Sequence, residues 1–246
     1  GHLEIYQLIA DSLEDKNPYV SEGRSPLHLA SQRGHIEVCK YIMDNLLDKN
    51  PRVTGGTSVG LTPYDFAALY GQVEICKLFL EILNDKNPGD LNGYTPLHQA
   101  AYTGELEVCK LILDRIEDKN PVANNGHTPL HYAAEKGHLK ILRLFLENGA
   151  DKRSIGNGWT PSLIAANRGH FRSCLFLMGN LQDIVSFFKG IWDSNSTKSR
   201  IAKVLLKVLS WLCFGIFIIV MPCIITISIP FEGRSGIDYI KDNFFK

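Results

Sequence analysis

Thr95-Pro96-Leu97-His98-Gln99-Ala100-Ala101 and Thr128-Pro129-Leu130-His131-Tyr132-Ala133-Ala134 are near copies set 33 residues apart. A fixed period of this length changes the meaning of every local motif, because each copy becomes one unit of a stacked array. The Thr/Ser-Pro pair at its head recurs at Ser25-Pro26, Thr62-Pro63 and Thr160-Pro161, which puts the five prolines 37, 33, 33 and 32 residues apart. The long interval holds an insertion, Arg52 to Gly60. Thr or Ser suits a helix N-cap, and Pro is preorganised for the first helical position. A Gly lies eight residues after each Pro, at Gly34, Gly71, Gly104, Gly137 and Gly169, and reads as a helix stop.

An apolar run such as Leu106 to Leu113 follows each Gly, and Asp-Lys-Asn-Pro then recurs from Asp15, Asp48, Asp85 and Asp118. Pro cannot continue a helix interior, so these tetrapeptides read as loop starts. Each unit is therefore a short helix, a tight turn, a second helix and an extended polar loop. One such unit cannot bury its apolar face alone; neighbours must stack.

On these residues the chain resembles the ankyrin repeat family, with Gly137-His138-Leu139 and Glu147-Asn148-Gly149-Ala150-Asp151 matching the second half of its repeat. The resemblance covers residues 1–182, a half unit followed by five units, and implies an all-α solenoid. Two units depart from the pattern. Tyr64-Asp65 and Ser162-Leu163 stand where the family favours Leu-His, which predicts looser hydrogen bonding there. Gly149 is kept at the end of the fourth unit's second helix, whereas Leu13, Leu46, Leu83, Ile116 and Leu181 hold that position elsewhere. Those side chains disfavour a left-handed cap, so longer second helices are expected. The half unit begins as a second helix without its first, and Gly1 reads as a processed or truncated end, so the array is expected to continue upstream.

Cysteine and histidine stay in phase with the repeat. Cys39, Cys76, Cys109 and Cys174 share one position of the second helix, too far apart between neighbours for a disulfide. They read as buried structural thiols. His28, His98 and His131 belong to the first-helix signature, and His2, His35, His138 and His170 to the turn. None leaves its phase to join a carboxylate or thiol, which argues against an enzyme, a metal site or a cofactor. Gly55 to Gly60 has the length of a phosphate loop but continues into Leu61 without its Lys. Lys plus Arg equals Asp plus Glu at 26 each, so no global field draws the chain to nucleic acid. No small-molecule substrate is expected.

The family resemblance implies a protein or peptide partner on the concave face made by the loop fingers and the first helices. Carried onto this sequence, that face is Arg24, Leu61, Tyr94, His127 and Trp159 before the anchors. At the ends of the first helices it is Gln32, Arg33, Leu69, Tyr70, Tyr102, Thr103, Glu135, Lys136, Asn167 and Arg168. These positions vary from unit to unit, and aromatic and Arg side chains dominate interface energetics.

Beyond Gln182 the period stops. After a linker and basic segment at 183–207, residues 208–230 carry no charge, and thirteen of them are Val, Leu, Ile or Phe. As a helix this stretch spans about 35 Å against a hydrocarbon core of about 30 Å, which predicts one transmembrane helix and a short tail at 231–246. Lys189, Lys198, Arg200, Lys203 and Lys207 before the span, against Arg234, Lys241 and Lys246 after it, put the repeats on the cytosolic side. Asn195-Ser196-Thr197 is a glycosylation sequon that argues for the other orientation. Three organisations are open: a tethered scaffold, the first part of a multi-pass protein such as an ankyrin-bearing TRP-like channel, or an ankyrin domain that targets an enzyme encoded outside this stretch.

Overall fold

The computed structural model describes residues 3–19, 21–179, 230–231 and 234–235. The chain divides into two compact units, Gly1–Ser196 and Thr197–Lys246. Among the described residues of the first unit, eleven α-helices follow one another: α1 (Leu3–Ala10), α2 (Pro26–Arg33), α3 (Ile36–Asp44), α4 (Pro63–Leu69), α5 (Val73–Ile82), α6 (Pro96–Thr103), α7 (Leu106–Leu113), α8 (Pro129–Lys136), α9 (Leu139–Glu147), α10 (Pro161–Asn167) and α11 (Phe171–Met178). First helices α2, α4, α6, α8 and α10 pack as one row, and second helices α1, α3, α5, α7, α9 and α11 as another. The core lies between the rows. Leu27, Leu97 and Leu130 fill it from the first helices, and Ile42, Phe79, Ile112 and Phe145 from the second. Each first helix begins at the expected Pro, and Gly34, Gly104 and Gly137 end α2, α6 and α8 in the left-handed conformation.

The second helices are not longer where Gly is missing. α3, α5 and α7 have 9, 10 and 8 residues, against 9 in α9, which keeps its Gly149. Leu46, Leu83 and Ile116 nonetheless avoid positive φ. The Asp-Lys-Asn-Pro segment explains both facts. Lys49 Nζ donates to Met43 O and Lys119 Nζ to Leu113 O, capping helix carbonyls that a glycine turn would otherwise satisfy. Lys16 does the same for Ala10 O, and Lys86 bonds Leu83 O at 2.5 Å. The preceding Asp closes a turn by accepting the Asn N–H, at 2.8 to 2.9 Å in all four copies. The Asn then reaches forward to the next first helix. Asn17 Oδ1 accepts Leu27 N–H at 2.9 Å, Asn50 Oδ1 accepts Tyr64 N–H at 3.1 Å, and Asn87 Oδ1 accepts Leu97 N–H at 3.1 Å. The segment read as a loop start thus ties the end of one unit to the start of the next.

Asn87→Ala should therefore cost about 1–2 kcal/mol by leaving the Leu97 amide unpaired in the core. Asn120→Ala should cost less, since Asn120 Oδ1 is buried without a partner. Urea unfolding of the two variants measures the difference, and equal losses would contradict the tie.

The insertion forms an elongated finger. Val53 and Leu61 pair at 2.8 Å around a single 3-10 turn at Gly56–Ser58, and Thr54 N–H donates to Gly23 O of the preceding finger at 3.2 Å. α1 packs on α3 with Tyr6 edge-on to Tyr41, leaving Ile5 and Ile9 57% and 55% exposed. The equivalent Val38 and Ile42 of α3 are buried beneath a first helix.

The described residues of the second unit depart from an all-α chain. Pro230–Phe231 (β1) pairs antiparallel with Arg234–Ser235 (β2). Residue 230 therefore ends no helix, and a proline that lacks an N–H fits a two-residue edge strand. Residues 208–229, where the transmembrane helix is expected, lie outside the described residues, as do 180–207 and Leu181. Among the described residues no helix is long and apolar enough to cross a membrane.

Candidate functional site

The first-helix histidines are built into the scaffold. Thr95 N–H donates to His98 Nδ1 at 3.1 Å and Thr128 N–H to His131 Nδ1 at 3.0 Å, completing N-terminal capping boxes. With Nδ1 accepting, the proton sits on Nε2, which donates at 3.2 Å to His127 O and Trp159 O of the following fingers. Burial lowers His28, His98 and His131 to about 4, so all three are neutral. Locked in both nitrogens, His98 and His131 have no free base to offer a reaction.

The two departures behave differently from each other. Asp65 replaces His locally: its Oδ2 accepts both Thr62 N–H at 2.9 Å and Thr62 Oγ1–H at 2.8 Å. Hydrogen bonding at this N-cap is not loosened, but Asp65 Oδ1 is buried without a partner. Burial raises Asp65 to about 7, with Asp90 adding to the rise and Thr62 and Arg52 opposing it. At Leu163 the box is lost, and Thr160 Oγ1 accepts the Leu163 N–H at 3.4 Å.

Cys39, Cys76, Cys109 and Cys174 are free and buried, as expected from their phase. Burial pushes Cys39 up to about 11 and Cys76 and Cys174 up to about 12, which keeps the thiols protonated and unreactive. Cys213 and Cys223 lie outside the described residues. Among the described residues no group of three His, Cys, Asp or Glu side chains could hold a metal ion.

None of the fifteen positions expected on the concave face is buried, and Arg33, Tyr70, Tyr102, Lys136, Asn167 and Arg168 are exposed. The structure brings Tyr94, Tyr102, His127 and Lys136 together around a residue absent from that set, Tyr132. Its ring lies edge-on to Tyr94 at 5.7 Å and Tyr102 at 6.1 Å, and 5.5 Å from His127. Asn125 Nδ2 donates to both Tyr94 Oη and Tyr132 Oη at 3.0 Å, and Lys136 Nζ stands 4.2 Å over the Tyr102 ring. The rings form a fixed platform. Tyr132 and Asn125 were legible: Tyr132 sits one turn after the anchor, on the same side of the helix as Tyr102, and Asn125 is a finger residue.

The other positions are dispersed. Arg168 pairs with Glu135 at 2.6 Å. Arg24 covers the Phe66 ring and bonds Ser58 Oγ at 3.4 Å, so much of it supports the inserted finger. Gln32 presents its carbonyl to Gln72 Nε2 at 3.1 Å, and Thr103 Oγ1 bonds back to Gln99 O at 3.0 Å. Trp159 pairs with Gly156 in a one-bridge hairpin. Leu61 and Leu69 are half-buried between units.

A family model for ankyrin repeats (3 copies) matches residues 1–88, 44–122, 64–156 and 116–187, three quarters of the chain when taken together. The chain belongs to the ankyrin repeat family. No curated protein matches it. Ankyrin repeats point to a protein-protein interaction role and are generally non-enzymatic modules, which agrees with histidines and thiols consumed by the scaffold.

Proposed function

We propose that this ankyrin array binds a protein partner on the face of its fingers and first helices, and that residues 208–230 hold it on the cytosolic side of a membrane. The observation carrying the first half is the tyrosine platform. Tyr94 and Tyr132 have their hydroxyls bound by one amide, so a partner that covers the rings has little side-chain entropy left to remove. The second half is supported by the uncharged stretch from Val208 to Pro230 and by Arg200, Lys203 and Lys207 before it at helical spacing.

A photo-reactive phenylalanine analogue at position 70 or 102 should form adducts with partner proteins in cells, while the same residue at Lys77, on the second-helix row, should not. Adducts from position 77 alone would move the interface to the other face. The full chain should stay with membranes through alkaline carbonate extraction and lose that association when 208–230 is deleted. Release of the intact chain, or a glycan on Asn195, would overturn the tether or its orientation.

A further inference from the structure

The second helices follow one pattern, and the charge written on it changes sign along the array. Their second residue is Glu4, Glu37, Glu74 and Glu107 in α1, α3, α5 and α7, then Lys140 in α9 and Arg172 in α11. Three residues on, Lys40, Lys77 and Lys110 close ion pairs with Glu37, Glu74 and Glu107 at 2.6 to 3.0 Å. That position holds Arg143 in α9, so the ion pair gives way to two like charges, and Leu175 in α11. Within their bounds α1, α3 and α5 each carry a net charge of −1, α7 carries none, and α9 and α11 each carry +1, with Glu147 at the end of α9 included. Lys140 and Arg143 are exposed while Ile141 and Leu142 between them are buried, so both cations lie on the side away from the first-helix row. Arg172 is exposed in the same repeat position as Lys140. Among the described residues none of the three has an ion-pair partner, and Glu107 on the preceding second helix is engaged by Lys110. Arg143 stands 5.6 Å over the ring of Phe176, which like Leu175 is half-buried.

We propose that the outer face of α9 and α11 docks on an anionic lipid surface, with Lys140, Arg143 and Arg172 among the headgroups. Charge complementarity sets the sign of the occupant. The choice of lipid rests on the membrane tether proposed above. Val208, where the uncharged stretch begins, follows Met178 by 30 residues, and the reversal of charge is confined to the last two second helices before it. Long cationic side chains beside half-buried apolar ones suit such a boundary, where stems pack and charged heads meet phosphates. Each basic side chain close to an anionic leaflet raises occupancy about fivefold, and the effect fades within a Debye length. Three cations opposed by Glu147 alone make a weak patch in free solution. A surface kept within reach by the chain itself makes weak binding sufficient, because the second contact is then intramolecular.

The full chain reconstituted in nanodiscs tests this, with acetylation of Lys140 read by mass spectrometry. In phosphatidylcholine discs containing about 30% phosphatidylserine, Lys140 should react at least about fivefold more slowly than in pure phosphatidylcholine discs, and about 0.5 M salt should abolish the difference. Lys40 and Lys77, each compared with itself, should react equally in the two discs. R143E/R172E should remove the protection of Lys140, while R143K/R172K, which keeps the charges, should retain it; thermal unfolding of both variants guards against a folding artefact. A Lys140 rate indifferent to phosphatidylserine would overturn the proposal. Protection shared equally by Lys40 and Lys77 would overturn its placement on α9 and α11. If Lys140 is open on phosphatidylserine discs but protected in native membranes, the face belongs to an acidic protein and the lipid assignment falls. Co-elution of the chain with phosphatidylserine discs but not with phosphatidylcholine discs would overturn the tether, with protection of Lys140 still deciding this face. Co-elution with neither would overturn both.

Discussion

Lowering the pH from 7 to 4.5 should destabilise the repeat array by about 4 kcal/mol in urea unfolding. His28, His98 and His131 are held near 4 in the fold, below their ordinary 6.5. The unfolded chain therefore takes up protons that the native chain refuses. Stability is complete above about pH 6.5 and is lost as the pH falls toward 4. At about 1.4 kcal/mol per unit, the three together lose about 7 kcal/mol over this range. The physical cause is visible at each site, since His98 and His131 receive a backbone N–H on Nδ1, where a second ring proton has no room. Asp65 works in the opposite sense. Its folded value of about 7 lies above 3.8, so its contribution is complete at low pH and is lost as the pH rises through 7. It returns about 3 kcal/mol on acidification. Asp65→Asn removes that offset, so the variant should be more stable than the parent at pH 8 and should lose stability more steeply with acid. A flat profile for the parent, or a shallower one for Asp65→Asn, would refute this assignment.

Replacing Gly104 by Ala should cost about 3 kcal/mol, and replacing Gly149 about 1 kcal/mol. Both glycines are left-handed, at φ 96 and φ 83, so both substitutions meet the same backbone penalty. Their surroundings differ. A Cβ on Gly104 would lie 2.7 Å from His138 Cε1, whereas nothing among the described residues lies within 4 Å of one on Gly149. His138 belongs to the next unit and its Nε2 bonds Tyr102 O at 3.2 Å, so moving the ring breaks a contact between units as well. The same close approach recurs at Gly34 beneath Gln72, Gly71 beneath Glu105 and Gly137 beneath His170. The glycine of these four turns leaves room for the side chain of the following unit. Equal losses in the two variants would show that the backbone conformation alone selects glycine at position 104.

The helices of the array and their starting points were readable because the signals are local. A Thr-Pro pair sets an N-cap and first turn by sterics and one hydrogen bond, and an apolar run with period 3.6 sets a buried stripe. The shared phase of the cysteines likewise told that they were scaffold, and the fold buries four of them. Asp-Lys-Asn-Pro was legible only in part. Its proline announced a loop, but the roles of its Lys and Asn depend on carbonyls six residues back and an amide ten residues ahead, which meet only after the units stack. Expecting long helices from the missing glycines failed for that reason: a lysine from the loop does the capping.

The proposed binding face shows the same division. The resemblance assigned Tyr94, as a finger residue, and Tyr102 and Lys136, near the ends of first helices, to one face. That Tyr132 joins them, that Asn125 fixes two hydroxyls, that Lys136 lies over the Tyr102 ring and that Arg168 neutralises Glu135 are products of side-chain packing across units. The sequence by itself determined the unit, its period and its family, since those rest on interactions within about ten residues. The tertiary structure decided how units are tied together and which histidines stay neutral, because each of these depends on burial and on hydrogen bonds that exist only once the helices are stacked.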